Sequence, residues 1–178
     1  LPEIALALFE DGHVEQVKGG RGHYPGLPAG AILPVQIDVF WAEPKPLYLD
    51  ADGRPRCPPD SILWVLDYKA GKETAPDPAE RNAQVLTGLV AAARYTGARQ
   101  AIGGILYIRR GPGIWDVPEA ALDAAGIDAA EARIRGWLGD VRMAQQRYAR
   151  GLPLTYTTGP QCTYCPAKMA CPGLLSQM

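Results

Sequence analysis

Short apolar runs and helix-spaced stripes alternate along this chain, and their order predicts its elements. Residues 4–9 are almost unbroken in apolar character and read as a strand. Residues 18–30 are rich in Gly and Pro and read as a loop carrying Arg21, His23 and Tyr24. A second strand is predicted over 32–41, with Pro34 near its start and one acid, Asp38, inside it. A turn-rich insertion follows over 43–61, where Pro44, Pro46, Gly53, Pro55, Pro58 and Pro59 break regular structure. The run Ile62, Leu63, Trp64, Val65, Leu66 has the continuous apolar character of a central strand, and it ends in Asp67, Tyr68 and Lys69 before Gly71.

A helix is predicted over 78–95, with Asp77 as N-cap, Pro78 at the first helical position and Gly97 as the stop. Leu86, Leu89, Val90 and Ala93 form its apolar face. Residues 101–108 read as a strand, followed by a turn that holds Arg109 and Arg110. A long helix is predicted over 128–150. It has Ile134, Trp137, Leu138, Val141 and Tyr148 at candidate buried positions and Arg133, Arg135, Arg142, Arg147 and Arg150 on a solvated face. Strands and helices interleave, so the fold class is α/β or α+β around a mixed sheet.

Composition narrows the function. A chain of 178 residues suits one domain, and 47% hydrophobic with 21% charged residues excludes wholesale disorder. Lys and Arg number 18 against 19 acids, a net charge of -1, which excludes coating nucleic acid by bulk charge. Any nucleic-acid contact then comes from a local basic surface or a bound metal. No apolar stretch approaches the roughly 18 residues of a membrane span, and no signal segment is evident, so a soluble, cytoplasmic protein without membrane contact is expected. No Gly-rich phosphate loop is present, which excludes ATP hydrolysis of that type.

Four cysteines occur, Cys57 alone and Cys162, Cys165 and Cys171 close together near the end. The first two of the trio can turn both sulfurs to one centre, and the third returns after a short loop; soft thiolates so spaced suit zinc or an iron–sulfur cluster. Pro166 and Pro172 stiffen the segment. The alternative is three free thiols in a tail. A full site needs a fourth ligand, and Cys57, His13 and His23 are the internal candidates.

Asp67 and Lys69 lie two apart, so on an extended strand both side chains share a face. Unpaired charges at the end of an apolar strand are costly to bury and call for a metal, each other or water. If the strand holding Asp38 pairs with that of Asp67, the two carboxylates and the backbone carbonyl of Tyr68 make a hard oxygen site for Mg²⁺ or Mn²⁺. Lys69 can orient a water there. The plainer alternative is an Asp67–Lys69 ion pair with Asp38 in a turn.

This ordered set resembles the PD-(D/E)XK nuclease superfamily, in its RecB-like branch. Asp38, between Ile37 and Val39, matches the first metal-binding acid of that family. Asp67 and Lys69 match the second acid and the catalytic lysine, and Gln84 matches the glutamine of the following helix. The resemblance covers about 32–172 and implies a restriction-endonuclease-like α/β fold, a central mixed sheet flanked by helices. It divides the chain into a nuclease-like core over 1–158 and a cysteine-rich C-terminal tail over 159–178. Cys162, Cys165 and Cys171 match three ligands of the [4Fe–4S] cluster that closes one group of these nucleases, with Zn²⁺ as the alternative; the fourth ligand has no match.

The resemblance implies a Mg²⁺- or Mn²⁺-dependent deoxyribonuclease, an exonuclease, acting on single- or double-stranded DNA. Its setting would be repair, recombination, phage or CRISPR-type processing, beside a helicase or other recombination proteins. The pattern departs in three places. Gly88 stands where the family often has an aromatic residue, the upstream acidic or histidine position has only Glu3 as a stand-in, and an N-terminal segment is expected to be missing. A non-catalytic DNA-binding module or a zinc-stapled scaffold of the same fold is the alternative function.

Overall fold

The structure, a computed structural model, describes residues 4–18, 27–70, 79–108 and 119–154; at Lys69, Ala70, Tyr107 and Ile108 it describes the backbone alone. The chain forms two compact units, Leu1–Gly136 and Trp137–Met178.

In the first unit, β1 (Ile4–Phe9) is apolar along its length, and Ala5 to Phe9 are all buried. Its partners are β2 (Val14–Gln16) and β3 (Ala31–Ile37), both antiparallel, with Leu8 opposite Val14 and Leu6 opposite Val35. Pro34 is tolerated in β3 because that strand lies at the edge of the sheet order β2–β1–β3. The chain then changes sheets. Asp38 separates β3 from β4 (Val39–Glu43), and β4 pairs with a different sheet. The predicted single strand over 32–41 is therefore two strands with Asp38 at the joint.

The insertion holds a small hairpin of β5 (Tyr48–Leu49) and β6 (Pro55–Arg56). The Asp50 carboxylate organises it, accepting the backbone N–H of Asp52 and Arg54 and the Nε–H of Arg56. That charge-assisted set holds the Asp50 carboxyl below its ordinary pKa, the Arg54 N–H being the largest cause. The main strand, β7 (Ile62–Ala70), carries Asp67 and Tyr68 near its end, as the apolar run predicts.

The central sheet has the order β4–β7–β8–β9, with β8 (Ala101–Ile108) parallel to β7 and β9 (Glu119–Leu122) antiparallel to β8. Parallel neighbours need a crossover, and α1 (Ala83–Thr96) supplies it. The mixed sheet and its helices are the α/β architecture that the pattern predicts. α1 starts later than the predicted residue 78. Asn82 is its cap, its side-chain oxygen accepting the N–H of Gln84 and Val85, and residues 79–82 form a turn. Asp77 and Pro78 lie outside the described residues. Gly97, at φ 71°, ends the helix in the left-handed conformation that glycine adopts without strain.

α1 lies close on the sheet because Gly103 has no side chain: a Cβ there would fall 2.5 Å from Leu89 Cγ. α2 (Ala124–Ala149) starts earlier than predicted, where Asp123 accepts the Gly126 N–H. It buries Ile127, Ala130, Glu131 and Ile134. Val141 and Tyr148, expected in the core, are exposed instead. Helical spacing aligns apolar residues in a stripe, but burial also needs a facing surface, and the buried residues of α2 stop at Ile134. No helix among the described residues is long and apolar enough to cross a membrane.

Candidate active site

Leu63 and Val65 are buried on the β7 face under α1, and the period-2 pleat puts Asp67 on that same face. The first turn of α1 stands above it. Gln84 Nε2 donates to Asp67 Oδ1 at 2.8 Å, and Oδ2 of the same carboxylate is buried. The amide therefore sets the orientation of the carboxylate.

Strand register brings in the second acid. β4 runs antiparallel to β7 with Val39 opposite Leu66, so the next position, Asp38, falls beside Asp67. Asp38 Oδ2 accepts the backbone N–H of Tyr68 at 2.8 Å, a contact between residues thirty apart. Asp38, Asp67, the Tyr68 backbone and Gln84 thus meet at one end of the sheet. Lys69 occupies the next position on the Asp67 side of the pleat, opposite Tyr107 of β8. Gln36, Gln84 and Gly88 line a narrow cleft that adjoins Asp67.

The donor set is hard oxygen: two carboxylates and, at Tyr68, a backbone carbonyl. No group of three or more His, Cys, Asp or Glu side chains suited to a metal occurs among the described residues. Two carboxylates still fit Mg²⁺ or Mn²⁺, since such ions use one or two protein carboxylates and complete their shell with water and substrate phosphate. The set does not suit a structural zinc, which needs four nitrogen or sulfur ligands.

The other sequence candidates fare differently. Cys57 is 6% exposed in the hydrophobic core, with its Sγ toward the carbonyls of Pro58 and Ser61, and burial pushes its thiol pKa up. It is a thiol of the hydrophobic core. His13 stacks on Phe9 and pairs with Asp11 in an exposed turn. Cys162, Cys165, Cys171, Glu3, Arg21, His23, Tyr24, Arg109 and Arg110 lie outside the described residues.

Of the helix arginines expected on a solvated face, Arg135 does structural work. Its guanidinium bonds Glu131 Oε1 at 2.7 Å and reaches the carbonyls of Glu10 and Phe9. From α1, Arg94 meets Glu131 Oε2 at 2.7 Å and Asp128 at 2.6 Å. Gly12, at φ 88°, leaves room for this carboxylate, since a Cβ there would lie 3.0 Å from Glu131 Oε1. Burial opposes ionisation of Glu131, but hydrogen bonds from Arg135 and Arg94 and their charge prevail, and its pKa lies below the ordinary value. No sequence signal marks this cluster, because the partners come from α1, α2 and the β1–β2 turn.

Comparison with known families finds a match to the model described as the PD-(D/E)XK nuclease superfamily, over residues 58–172. The matched segment contains Asp67, Lys69, Gln84 and the cysteine trio, whereas Asp38 lies before it. No curated protein and no solved structure matches the chain.

Proposed function

The chain belongs to the PD-(D/E)XK nuclease superfamily, and from that membership and the site we propose a Mg²⁺- or Mn²⁺-dependent deoxyribonuclease, an exonuclease of the RecB-like branch. The observation that carries this reading is the meeting of two carboxylates at the end of β7, Asp38 through the Tyr68 N–H and Asp67 through Gln84.

In this reading Asp38, Asp67 and the Tyr68 carbonyl would hold the ion, which supplies Lewis acidity toward the phosphodiester and lowers the pKa of a bound water. Asp38 presents Oδ1, because Oδ2 is held by the Tyr68 N–H. Gln84 keeps the Asp67 carboxylate in one orientation, so little reorganisation is needed at the moment of reaction. Lys69 offers an ammonium to orient the attacking water and to stabilise charge on the phosphate oxygens. A net charge near zero is compatible with DNA as substrate, since the ion offsets phosphate charge at the reaction centre.

We read Cys162, Cys165 and Cys171 as ligands of a [4Fe–4S] cluster, with Zn²⁺ as the alternative and the fourth ligand unassigned. A brown preparation with iron and sulfide supports the cluster; a colourless one with stoichiometric zinc overturns it. DNA repair, recombination or CRISPR-type processing with a helicase partner is the setting we propose.

The test of the nuclease reading is Mn²⁺-dependent degradation of linear DNA by the wild type, and by Asp67→Ala and Lys69→Ala. Loss of cleavage in both variants, with an unchanged circular dichroism spectrum, is expected. Cleavage that persists in either variant sinks the assignment. A wild type that binds DNA but never cleaves it would instead be a non-catalytic module of the same fold.

A further inference from the structure

Tyr68 lies between Asp67 and Lys69, and its side chain is not used by the reading above. β4 pairs with β7 only as far as Leu66, whereas β8 pairs with it through Ala70. From Asp67 onward one edge of β7 therefore has no paired strand among the described residues, and Asp38 reaches that edge to take the Tyr68 N–H. The pleat turns the side chains of Asp67 and Tyr68 to opposite faces of the sheet.

Tyr68 is 44% exposed, and its side chain has no hydrogen bond or ring contact among the described residues. Farther back on the same face, Trp64 and Trp41 stack on each other with centroids 5.6 Å apart and planes 8° from parallel. Those two rings cover one another. Tyr68 offers a partly exposed ring on the face of β7 opposite Asp67.

We propose that Tyr68 is a specificity residue whose ring stacks on a base of single-stranded nucleic acid, while the backbone of that strand turns round the open edge of β7 toward Asp38 and Asp67. This inference rests on the nuclease reading. Every base has a π-face, so the contact tolerates any sequence. A base in a duplex is already stacked on its neighbours, so the ring favours a single strand or a frayed end over an intact duplex. Tyr68 then selects substrate by form and leaves the chemistry to the groups on the other face.

The test is equilibrium binding of fluorescent oligonucleotides to the whole chain in EDTA, with Tyr68→Ala and Tyr68→Phe beside the wild type. Tyr68→Ala is expected to weaken binding of single strands by roughly 5- to 100-fold and to leave duplex binding unchanged, while Tyr68→Phe binds as the wild type does. An all-abasic oligonucleotide of the same length should lose affinity for the wild type by a similar factor and be indifferent to Tyr68→Ala. In cleavage assays Tyr68→Ala should raise KM for single strands more than for duplexes.

Equal weakening of single strands and duplexes, additive losses from the substitution and the missing bases, or no weakening at all would each overturn the proposal. Binding in EDTA requires no hydrolysis, so a wild type without Mn²⁺-dependent cleavage counts against the nuclease reading alone. An unchanged melting temperature in Tyr68→Ala separates loss of stacking from loss of fold.

Discussion

Gln84 Nε2 donates to Asp67 Oδ1 at 2.8 Å, so the first turn of α1 is tied to the strand end it covers, across seventeen residues of sequence. A partner that orients a metal-binding carboxylate is typically worth 10- to 100-fold in activity. Gln84→Ala should lower kcat by about that factor and shift the melting temperature little, because the amide is exposed at the helix start. Single-turnover cleavage at saturating Mn²⁺ checks it, and a variant at wild-type rate removes Gln84 from the site.

Asp38 has two duties that substitutions can separate. Asp38→Asn keeps an oxygen for the Tyr68 N–H but loses the charge, so it should fold normally and fail to cleave. Asp38→Ala also leaves that N–H without its acceptor and should cost about a further 1 kcal/mol in urea denaturation. Equal stabilities of the two variants would show that the bond contributes nothing to the fold.

Two glycines at the α1–sheet contact should respond in opposite ways. A Cβ at Gly103 would lie 2.5 Å from Leu89 Cγ, so Gly103→Ala should destabilise by about 1–3 kcal/mol. A Cβ at Gly88 would meet Val65 Cγ1 at an ordinary 3.7 Å, and alanine is favoured inside a helix by roughly 0.5–1 kcal/mol. Gly88→Ala should therefore be neutral or stabilising. Thermal melts of the pair decide it.

The Glu131 cluster should make stability depend on acid. Its pKa in the folded state lies below the ordinary glutamate value of roughly 4.3, so the folded state binds the proton less tightly than the unfolded chain. The contribution is complete above that ordinary value and is lost as pH falls through the folded one. Glu131→Gln should cost about 2 kcal/mol at neutral pH, less than a fully buried pair because Arg94 and Arg135 are partly exposed. It should also flatten the acid limb of the stability curve. An acid limb that stays as steep in urea titrations would place the protonation elsewhere.

What could be read from the chain alone follows the range of each signal. The strands at 4–9 and 101–108 coincide with the structure, because continuous apolar runs report burial within a few residues. Both helix starts were displaced. Proline and aspartate before a helix are only permissive signals, whereas Asn82 and Asp123 are the caps that bond the helix amides. Arg135 reads as one of a solvated row until α1 and the β1–β2 turn are brought to it.

The amino-acid sequence by itself determined that Asp67 and the Lys69 position share one side of a strand, because a two-residue repeat is a local property of extended backbone. Only the tertiary structure decided that Asp38 stands beside them. That meeting depends on the β4–β7 register across a turn-rich insertion, and on α1 settling over Gly103 with Gln84 at its start. Pairing and packing of segments distant in sequence are set by the burial they achieve together, which no local pattern of residues encodes.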